Sequence, residues 1–380
     1  MDKFEIIIPV IFGLEAFVSK EVKMLGYEVV SVEDGRVTFL GDEKAVARAN
    51  LWVRCGERVL IKAGEFSAVT FDELFEKTKE TDWTRWLLKD SAFPVTGFCL
   101  KSTLASMRDC QAIIKKAIVE SMKKKYDVSH FEETGAVYQI RFSIMKDRVT
   151  LMIDTTGDGL HKRGYRAVSN KAPLKETIAA SMVYLSHWKY EYPLCDPLCG
   201  SGTIPIEASM IKRNIAPGLT RGFLSENFSQ WNKDIWDSAR QEAYDLQKNV
   251  PLEIFASDID KETIQIANQN AKIAGVSDAV IPKVMDCKDF YTDLKYGTVI
   301  CNPPYGERLG DEKMCFELYK NMGQSFRKLK DWSYYILTSN EDFENAFSKK
   351  ADKKRKIYNG MIKCNIYQYF GKRPPKQEKL

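Results

Sequence analysis

An amide, two prolines and a tyrosine, residues 302–305, directly follow an apolar run in this sequence. The run VIC at 299–301 is typical of a strand buried in the middle of a parallel sheet. Strand pairing has to stop after the run, because Pro303 and Pro304 lack the N–H group that a ladder requires. We therefore expect a rigid loop at the carboxyl end of a strand, which is where open α/β sheets bind their ligands.

A second segment, DPLCGSGT at 196–203, separates a predicted strand from a predicted helix. It matches neither the GxGxxG pattern of dinucleotide folds nor the GxxxxGK[ST] pattern of P-loops, and it has no lysine to neutralise a triphosphate. Gly200 and Gly202 let a ligand approach the backbone closely, and Asp196 would repel a pyrophosphate, so a cationic ligand fits better. The predicted cofactor-contacting residues of this segment are Asp196, Leu198, Cys199, Gly200, Ser201, Gly202 and Thr203.

Two further acidic residues stand where the next two predicted strands end. Asp258, in FASDID, suits the two hydroxyls of a ribose, and Asp286, in VMDC, can accept a hydrogen bond from the amino group of an adenine. A ribose, an adenine and a positively charged remainder together describe S-adenosylmethionine, which we predict as the cofactor, with Ile259 and Cys287 as neighbouring contacts. The alternative is that these acidic residues only cap helices, an interpretation that applies most to the nearby Asp260.

Beside such a methyl donor, the loop at 302–305 suits the methylation of an amino group on an aromatic ring. This amine is a poor nucleophile, because its lone pair is delocalised, and acceptors on its two hydrogens favour the tetrahedral geometry that it must reach. The side-chain oxygen of Asn302 and the carbonyl of Pro303 can be these acceptors, preorganised by Pro303 and Pro304. Tyr305 offers a face on which a planar ring stacks, a contact worth about 1–3 kcal/mol per base. These four residues are the predicted catalytic residues, with a plain turn as the alternative interpretation.

The composition is that of a globular chain with no metal or membrane signature. A hydrophobic fraction of 44% is enough to form cores, and the net charge of +5 permits a nucleic-acid partner without requiring one. The nine cysteines contain no CxxC pair and the three histidines lie far apart, so we expect reduced thiols and no metal site. No stretch approaches the roughly 20 apolar residues of a membrane span. We expect a cytoplasmic protein with no membrane partner.

Strand and helix patterns divide the chain into unequal parts. The predicted parts are a small α+β module at 1–57, a second α+β module at 58–156, a linker at 157–171, a larger domain at 172–370 and a tail at 371–380. In the larger domain apolar strands alternate with helices, which predicts a doubly wound, mainly parallel α/β sheet. Near its end, KRKIYNGMIKCNIYQYF predicts a hairpin turning at Asn359-Gly360, so the last strands should lie antiparallel at one edge.

Several of these segments together resemble a known enzyme family. DPLCGSGT, SDID, NPPYGERLG and IAPGLTRGF are similar to segments of the amino-group methyltransferases that modify guanine at N2 in RNA, and PVIFGLEAFVSKEVKMLGYE, LHKRGYR and APLKETIAA resemble their THUMP-domain branch. The resemblance covers nearly the whole chain and is closest to the 23S ribosomal RNA (guanine-N2)-methyltransferases, in the form with a single methyltransferase domain. It implies a ferredoxin-like module at 1–57, a THUMP RNA-binding domain at 58–156 and a Rossmann-like methyltransferase domain at 172–370 with an antiparallel last strand.

Basic residues away from the catalytic loop are the candidates for RNA contacts. The resemblance implies that the THUMP domain binds RNA, and Lys162, Arg163 and Arg166 lie in the predicted linker, where they could hold phosphates near the active site. Lysines on a helix are more often a solvated face, and the two arginines could instead pair with acidic residues between domains. The predicted RNA-binding residues are Lys101, Lys115, Lys116, Lys162, Arg163 and Arg166.

We therefore expect a cytoplasmic, S-adenosylmethionine-dependent RNA methyltransferase that forms N2-methylguanosine in large-subunit ribosomal RNA. The target guanine should be flipped out of its stack into the pocket of residues 302–305. A transfer RNA methyltransferase of the same architecture is one alternative, because THUMP domains also serve that substrate. A non-catalytic RNA-binding or ribosome-assembly protein is the other, and the intact NPPY sequence argues against it.

Overall fold

The computed structural model describes residues 3–128, 130–166, 174–306 and 311–374. The described residues group into two compact units, each with one seven-stranded sheet. The first unit draws its residues from Met1–Val10, Ser19–Leu160 and Arg221–Gln241, and the second from Ile11–Val18, His161–Thr220 and Glu242–Leu380.

The sheet of the first unit unites strands from both predicted α+β modules. Its strands, within the described residues, are β1 (Phe4–Pro9), β2 (Glu28–Glu33), β3 (Arg36–Gly41), β4 (Leu60–Ser67), β5 (Val95–Leu100), β6 (Ile140–Met145) and β7 (Arg148–Asp154). Their order is β2-β3-β1-β4-β7-β6-β5. The antiparallel pairing of β1 with β4 sets Ile6 opposite Ile61, so the modules predicted at 1–57 and 58–156 share one continuous sheet.

Helices separate most of these strands along the sequence, except within the β2–β3 and β6–β7 hairpins, and side-chain caps mark where several of the helices begin. They are α1 (Glu15–Met24), α2 (Glu43–Trp52), α3 (Phe71–Glu80) and α4 (Met107–Tyr126). The Asp42 carboxylate accepts a hydrogen bond from the Ala45 N–H at 2.9 Å before α2. Thr70 and Glu73 form a capping box at the start of α3, which satisfies N–H groups that a helix end otherwise leaves unpaired.

The segment Arg221–Gln241 completes the core of the first unit, although the sequence places it inside the larger domain. Phe228 stacks on Tyr138 with ring centroids 4.1 Å apart, and Phe223 stacks on Trp236 at 5.2 Å. All four rings are buried. Stacked aromatic pairs contribute beyond their buried area, so this segment has a structural role in the first unit.

The second unit has the predicted doubly wound architecture. Its strands, within the described part of the chain, are β8 (Leu194–Asp196), β9 (Ile254–Asp258), β10 (Val280–Val284), β11 (Thr298–Cys301), β12 (Ser333–Thr338), β13 (Lys353–Asn359) and β14 (Ile362–Tyr369). They are ordered β10-β9-β8-β11-β12-β14-β13, with β8 to β12 parallel and β14 antiparallel to both of its neighbours. This confirms the mainly parallel sheet with its antiparallel last strand and the hairpin at Asn359-Gly360.

The remaining helices connect these strands. They are α5 (Glu176–Ser186), α6 (Thr203–Lys212), α7 (Asp234–Asp245), α8 (Lys261–Ile273), α9 (Asp311–Phe326) and α10 (Phe343–Phe347). Gly202, with φ +83°, precedes α6, and a Cβ atom there would lie 3.2 Å from the Cβ of Ala267 on α8. A glycine therefore allows both the left-handed backbone and the close approach of the two helices. Among the described helices, none combines the length and apolarity that crossing a membrane requires.

Candidate active site

The strand order brings the predicted catalytic and cofactor-binding segments to one edge of the second sheet. The DPLCGSGT segment follows β8, and the NPPY loop follows β11, its neighbour in the sheet. The order of the strands reverses between these two parallel strands. After β8 the chain adds β9 and β10 on one side, and then returns to add β11 and β12 on the other side. Ligands of open α/β sheets bind at such a switch point, outside the carboxyl ends of the strands.

The glycine segment forms a cradle that leaves backbone exposed to a ligand. Gly200 has φ +52°, and a Cβ built on it meets no described atom within 4 Å. The Cys199 N–H donates to the Ser257 carbonyl at 2.8 Å, and the Gly200 N–H donates to Asp258 Oδ2 at 3.1 Å. The cradle is thus held by β9 on one side and open on the other, which fits the close approach of a nucleoside cofactor.

Asp258 and Asp196 present carboxylates in two different environments. Asp258 accepts from Gly200 and, through Oδ1, from the Asp260 N–H at 3.0 Å; each of its oxygens keeps a lone pair for a ribose hydroxyl. Asp196 is buried, with Oδ1 3.2 Å from the Leu198 N–H. Burial raises the pKa of Asp196 well above its ordinary value, and the charge of Asp258 adds to that shift. A bound cation would stabilise the ionised form of Asp196.

Asp286 follows β10 and is held as an ionised acceptor. Its Oδ1 accepts from the Lys288 N–H and its Oδ2 pairs with Lys288 Nζ, both at 3.0 Å. Burial alone would raise the pKa of Asp286, but these contacts with Lys288 outweigh it and lower the pKa. Cys287 beside it is buried, which raises the pKa of its thiol to about 12, and Ile259, after β9, is exposed. Asp260 caps α8 and Asp286 caps the short 3-10 turn Cys287–Asp289, as the alternative interpretation of these acidic residues predicts.

Two tyrosine hydroxyls hold the NPPY loop. The Tyr305 hydroxyl donates to Asn302 Oδ1 at 2.6 Å, and the Tyr319 hydroxyl, from α9, donates to the Pro304 carbonyl at 2.6 Å. Burial raises the pKa of both phenols, so each stays a protonated donor. Tyr305 therefore has a contact with the predicted amine acceptor in addition to its predicted stacking face. The sequence carries no local signal for the role of Tyr319, which resembles any tyrosine on the apolar side of a helix.

Arg163 lies in the core of the second unit rather than at a surface. Its Nε is 3.2 Å from Glu207 Oε1, and the two side chains are 1% and 0% exposed. The hydroxyl of Tyr165 is 3.3 Å from the same oxygen. The phosphate contact predicted for Arg163 is replaced by an acidic partner on α6, since an unpaired charge at this depth would be costly.

Arg166 connects the predicted linker to the glycine segment. One of its terminal nitrogens lies 2.7 Å from Thr203 Oγ1, 3.1 Å from the Leu174 carbonyl and 3.1 Å from Glu176 Oε1. Burial raises the pKa of Glu176 to about 7, against the lowering effect of Arg166. Arg166 thus contacts the first residue of α6, directly after the cradle, and supports the position of that helix.

The predicted RNA-binding lysines differ in their surroundings. Lys115 Nζ lies 2.6 Å from Glu133 Oε1 and 3.5 Å from the centre of the Phe93 ring, so its charge already has partners. Lys101, Lys116 and Lys162 are exposed. Exposed ammonium groups can contact phosphates at little desolvation cost. No cluster of three or more potential metal-ligating side chains occurs among the described residues.

Comparison with known proteins decides the family. Residues 5–60 match the model of the RlmL ferredoxin-like domain, residues 68–154 that of the THUMP domain, and residues 163–368 that of the RMKL-like methyltransferase domain. The chain belongs to the THUMP-domain RNA methyltransferase family. The matches confirm the ferredoxin-like, THUMP and methyltransferase parts that the resemblance implies.

Individual relatives align over their whole length with this THUMP-domain methyltransferase. A relative from Bacillus subtilis (strain 168), "Putative RNA methyltransferase YpsC", is 49% identical over 100% of this chain and 99% of its own. The structure of SMU.472, "a putative methyltransferase complexed with SAH", is 42% identical, covers 99% of this chain and 100% of its own, and superposes with a TM-score of 0.92. A Listeria monocytogenes structure, described as "a predicted N6-adenine-specific DNA methylase", is 50% identical, with 98% and 97% coverage and a TM-score of 0.93.

These findings establish the class of reaction. The chain is an S-adenosylmethionine-dependent methyltransferase with an RNA substrate, which confirms the predicted cofactor and the coarse function. When bound, S-adenosylmethionine supplies a methyl group on a positively charged sulfur. The open cradle at Gly200 and the carboxylates of Asp196, Asp258 and Asp286 are the groups that could hold it.

Proposed function

We propose that this methyltransferase transfers a methyl group to the exocyclic N2 amine of a guanine in large-subunit ribosomal RNA. The observation that carries the proposal is the placement of the NPPY loop after β11, next to the glycine cradle after β8. This juxtaposition supports a conjugated amine as the acceptor, because the loop offers hydrogen-bond acceptors beside the methyl donor's cradle. The resemblance to the 23S ribosomal RNA enzymes supports guanine N2 as the atom and large-subunit RNA as the target.

The loop residues act on the amine through its two N–H bonds. Asn302 Oδ1 accepts one hydrogen while it keeps the Tyr305 contact, since an amide oxygen has two lone pairs. The Pro303 carbonyl accepts the other. With both hydrogens held, the nitrogen can become tetrahedral and its lone pair is released from the ring. With S-adenosylmethionine bound, the nitrogen would take the methyl group as the S–CH3 bond breaks, and the methylated amine would then give one proton to water, since neither loop oxygen is a base strong enough to keep it.

Substrate choice rests on parts of the chain other than the NPPY loop. The amino group of adenine is also conjugated, and the Listeria monocytogenes relative carries a name that refers to it. The THUMP domain at 68–154 favours RNA over DNA, and the exposed Lys101 and Lys116 within its range could contact phosphates. The target guanine has to leave its stack to reach the loop.

The proposal is tested by methyl transfer from labelled S-adenosylmethionine to RNA that lacks modification. Transcribed 23S ribosomal RNA, 16S ribosomal RNA and a transfer RNA pool are incubated separately with the protein, and each RNA is digested for nucleoside analysis by mass spectrometry. N2-methylguanosine in 23S RNA alone is the expected result. The same nucleoside only in transfer RNA would overturn the target, and N6-methyladenosine would overturn the acceptor atom. Asn302→Ala serves as the inactive control that still binds the cofactor.

A further inference from the structure

A buried hydroxyl group from α9 lies against the backbone of the NPPY loop. Tyr319 is 1% exposed, and its hydroxyl is 2.6 Å from the Pro304 carbonyl oxygen and 3.2 Å from Thr338 Oγ1. The Cys315 thiol makes a weaker contact with the same carbonyl at 3.6 Å. Thr338 is the last residue of β12, the strand beside β11, and is fully buried. The loop is therefore tied to the sheet by a side chain that does not belong to it.

The direction of this hydrogen-bond chain follows from the donors available. A carbonyl oxygen has no hydrogen, so the single proton of the Tyr319 hydroxyl goes to Pro304. Thr338 must then donate its own proton to the Tyr319 oxygen. The backbone N–H of Asn340 completes the chain by donating to Thr338 Oγ1 at 3.1 Å. The chain thus runs from Asn340 through Thr338 and Tyr319 to Pro304, and each bond polarises the next in a low dielectric.

Fixing the Pro304 carbonyl restricts the rest of the loop. Asn302 and Pro303 each precede a proline, which confines both to extended backbone conformations, and the proline rings fix two φ angles. The orientation of the Pro304 peptide is the main freedom that these restraints leave. Once Tyr319 holds it, the backbone from Asn302 to Pro304 has a set course relative to the sheet, and the Tyr305 hydroxyl holds the Asn302 side chain.

We propose that the Thr338–Tyr319 hydrogen-bond chain positions the catalytic loop, and that Tyr319 is a positioning residue in methyl transfer. The inference rests on the proposed role of the loop in accepting the amine. Tyr319 itself does not touch the substrate; it acts through Pro304. A displacement of about 1 Å can lower an enzymatic rate by about 100-fold, so losing one of several restraints should lower kcat by about 10- to 100-fold.

Tyr334 provides a matched control in the same unit. It is 6% exposed and its hydroxyl donates to the Phe326 carbonyl, also at 2.6 Å, rather than to the NPPY loop. Tyr319→Phe and Tyr334→Phe each remove one buried hydroxyl bonded to a carbonyl, and both should lower the unfolding temperature, Tyr319→Phe somewhat more because the Thr338 hydroxyl also loses its acceptor. We expect only Tyr319→Phe to lower kcat, with KM for RNA and Kd for S-adenosylmethionine within about 2-fold of wild type. Equal kcat values for the two variants would overturn the proposal.

Thr338 supplies an independent test of the chain. Thr338→Ser keeps the hydroxyl and should retain most of the wild-type kcat, whereas the isosteric Thr338→Val should lower kcat. If Thr338 acts through Tyr319, the double variant Tyr319→Phe/Thr338→Val should be no slower than Tyr319→Phe alone. Fully additive losses would show that the two hydroxyls act separately and would refute the chain.

A measurement without substrate separates this inference from the proposed function. Hydrogen exchange by mass spectrometry on peptides covering 299–306 should be faster in Tyr319→Phe than in Tyr334→Phe or wild type, because the loop loses a restraint. Unchanged exchange would overturn the inference whatever RNA is methylated. If wild type instead methylates transfer RNA, the target proposal fails, and the kinetic comparison of the variants is made on transfer RNA.

Discussion

Replacing Arg163 by methionine should destabilise the second unit rather than weaken RNA binding selectively. The guanidinium Nε is 3.2 Å from Glu207 Oε1, and both side chains are essentially inaccessible to water. The proximity of Glu207 and Glu176 raises the pKa of Arg163 despite the opposing effect of burial, which is the largest single influence. Removing the arginine leaves the Glu207 carboxylate in the core without this cation, and breaking a buried pair in this way costs about 3–5 kcal/mol.

That cost converts into a measurable shift in urea unfolding. The slope of unfolding free energy against urea reaches about 3 kcal/mol per molar for domains at the larger end. A loss of about 3–5 kcal/mol therefore lowers the midpoint by about 1–2 M. Circular dichroism in a urea series measures the midpoint, and salt-dependent RNA binding is measured in parallel under conditions where the variant is folded.

The variant Lys162→Met, at the neighbouring position, is the control for the urea unfolding experiment. Lys162 is exposed, so Lys162→Met should change the free energy of unfolding by no more than about 0.5 kcal/mol, as is usual at a surface. Adding Glu207→Leu to Arg163→Met removes the unpaired buried carboxylate and should restore much of the lost free energy of unfolding. A wild-type urea midpoint for Arg163→Met, together with a tenfold or greater drop in its RNA affinity, would refute the structural role of Arg163. That result would restore the phosphate contact that the sequence predicts.

Three further outcomes test the site itself. Asn302→Ala should lower kcat by about 100- to 1,000-fold, the range for losing one preorganised polar group, with the cofactor Kd unchanged in calorimetry; full turnover would exclude Asn302 as an amine acceptor. Asp258→Ala should raise the cofactor Kd at least tenfold, since it loses both the ribose contact and the Gly200 N–H partner. The control Asp260→Ala should chiefly lower the stability of α8. Unaltered cofactor binding in Asp258→Ala would exclude the ribose contact. Because burial raises the pKa of Asp196 in the cofactor-free protein, binding a cation should release a proton, and affinity should increase with pH until Asp196 is ionised without cofactor. Calorimetry in buffers of different ionisation enthalpy measures that proton, and proton uptake would contradict the assignment.

The structural elements that the sequence predicts correctly are those set by residues adjacent to one another in the chain. The NPPY loop had to leave the sheet because prolines cannot donate to a ladder, and Asn359-Gly360 turns a hairpin because glycine adopts positive φ there. Alternation of apolar strands with helices was enough to predict the parallel sheet. Because the carboxyl ends of parallel strands share an edge, the same pattern predicted that the cradle and the loop meet.

Residue order over a few positions is enough to indicate the family, the kinds of elements and the segments that form the site, because motifs, periodicity and turn residues are local. The tertiary structure decided the partners of individual side chains. Arg163 meets Glu207 from 44 positions away, Tyr319 reaches Pro304, and β1 pairs with β4 to merge two modules into one sheet. The residues next to an arginine or a tyrosine in the sequence do not determine which distant group its side chain will contact. The packing of the whole chain selects one, because a buried polar group without a partner costs more than any local propensity can supply.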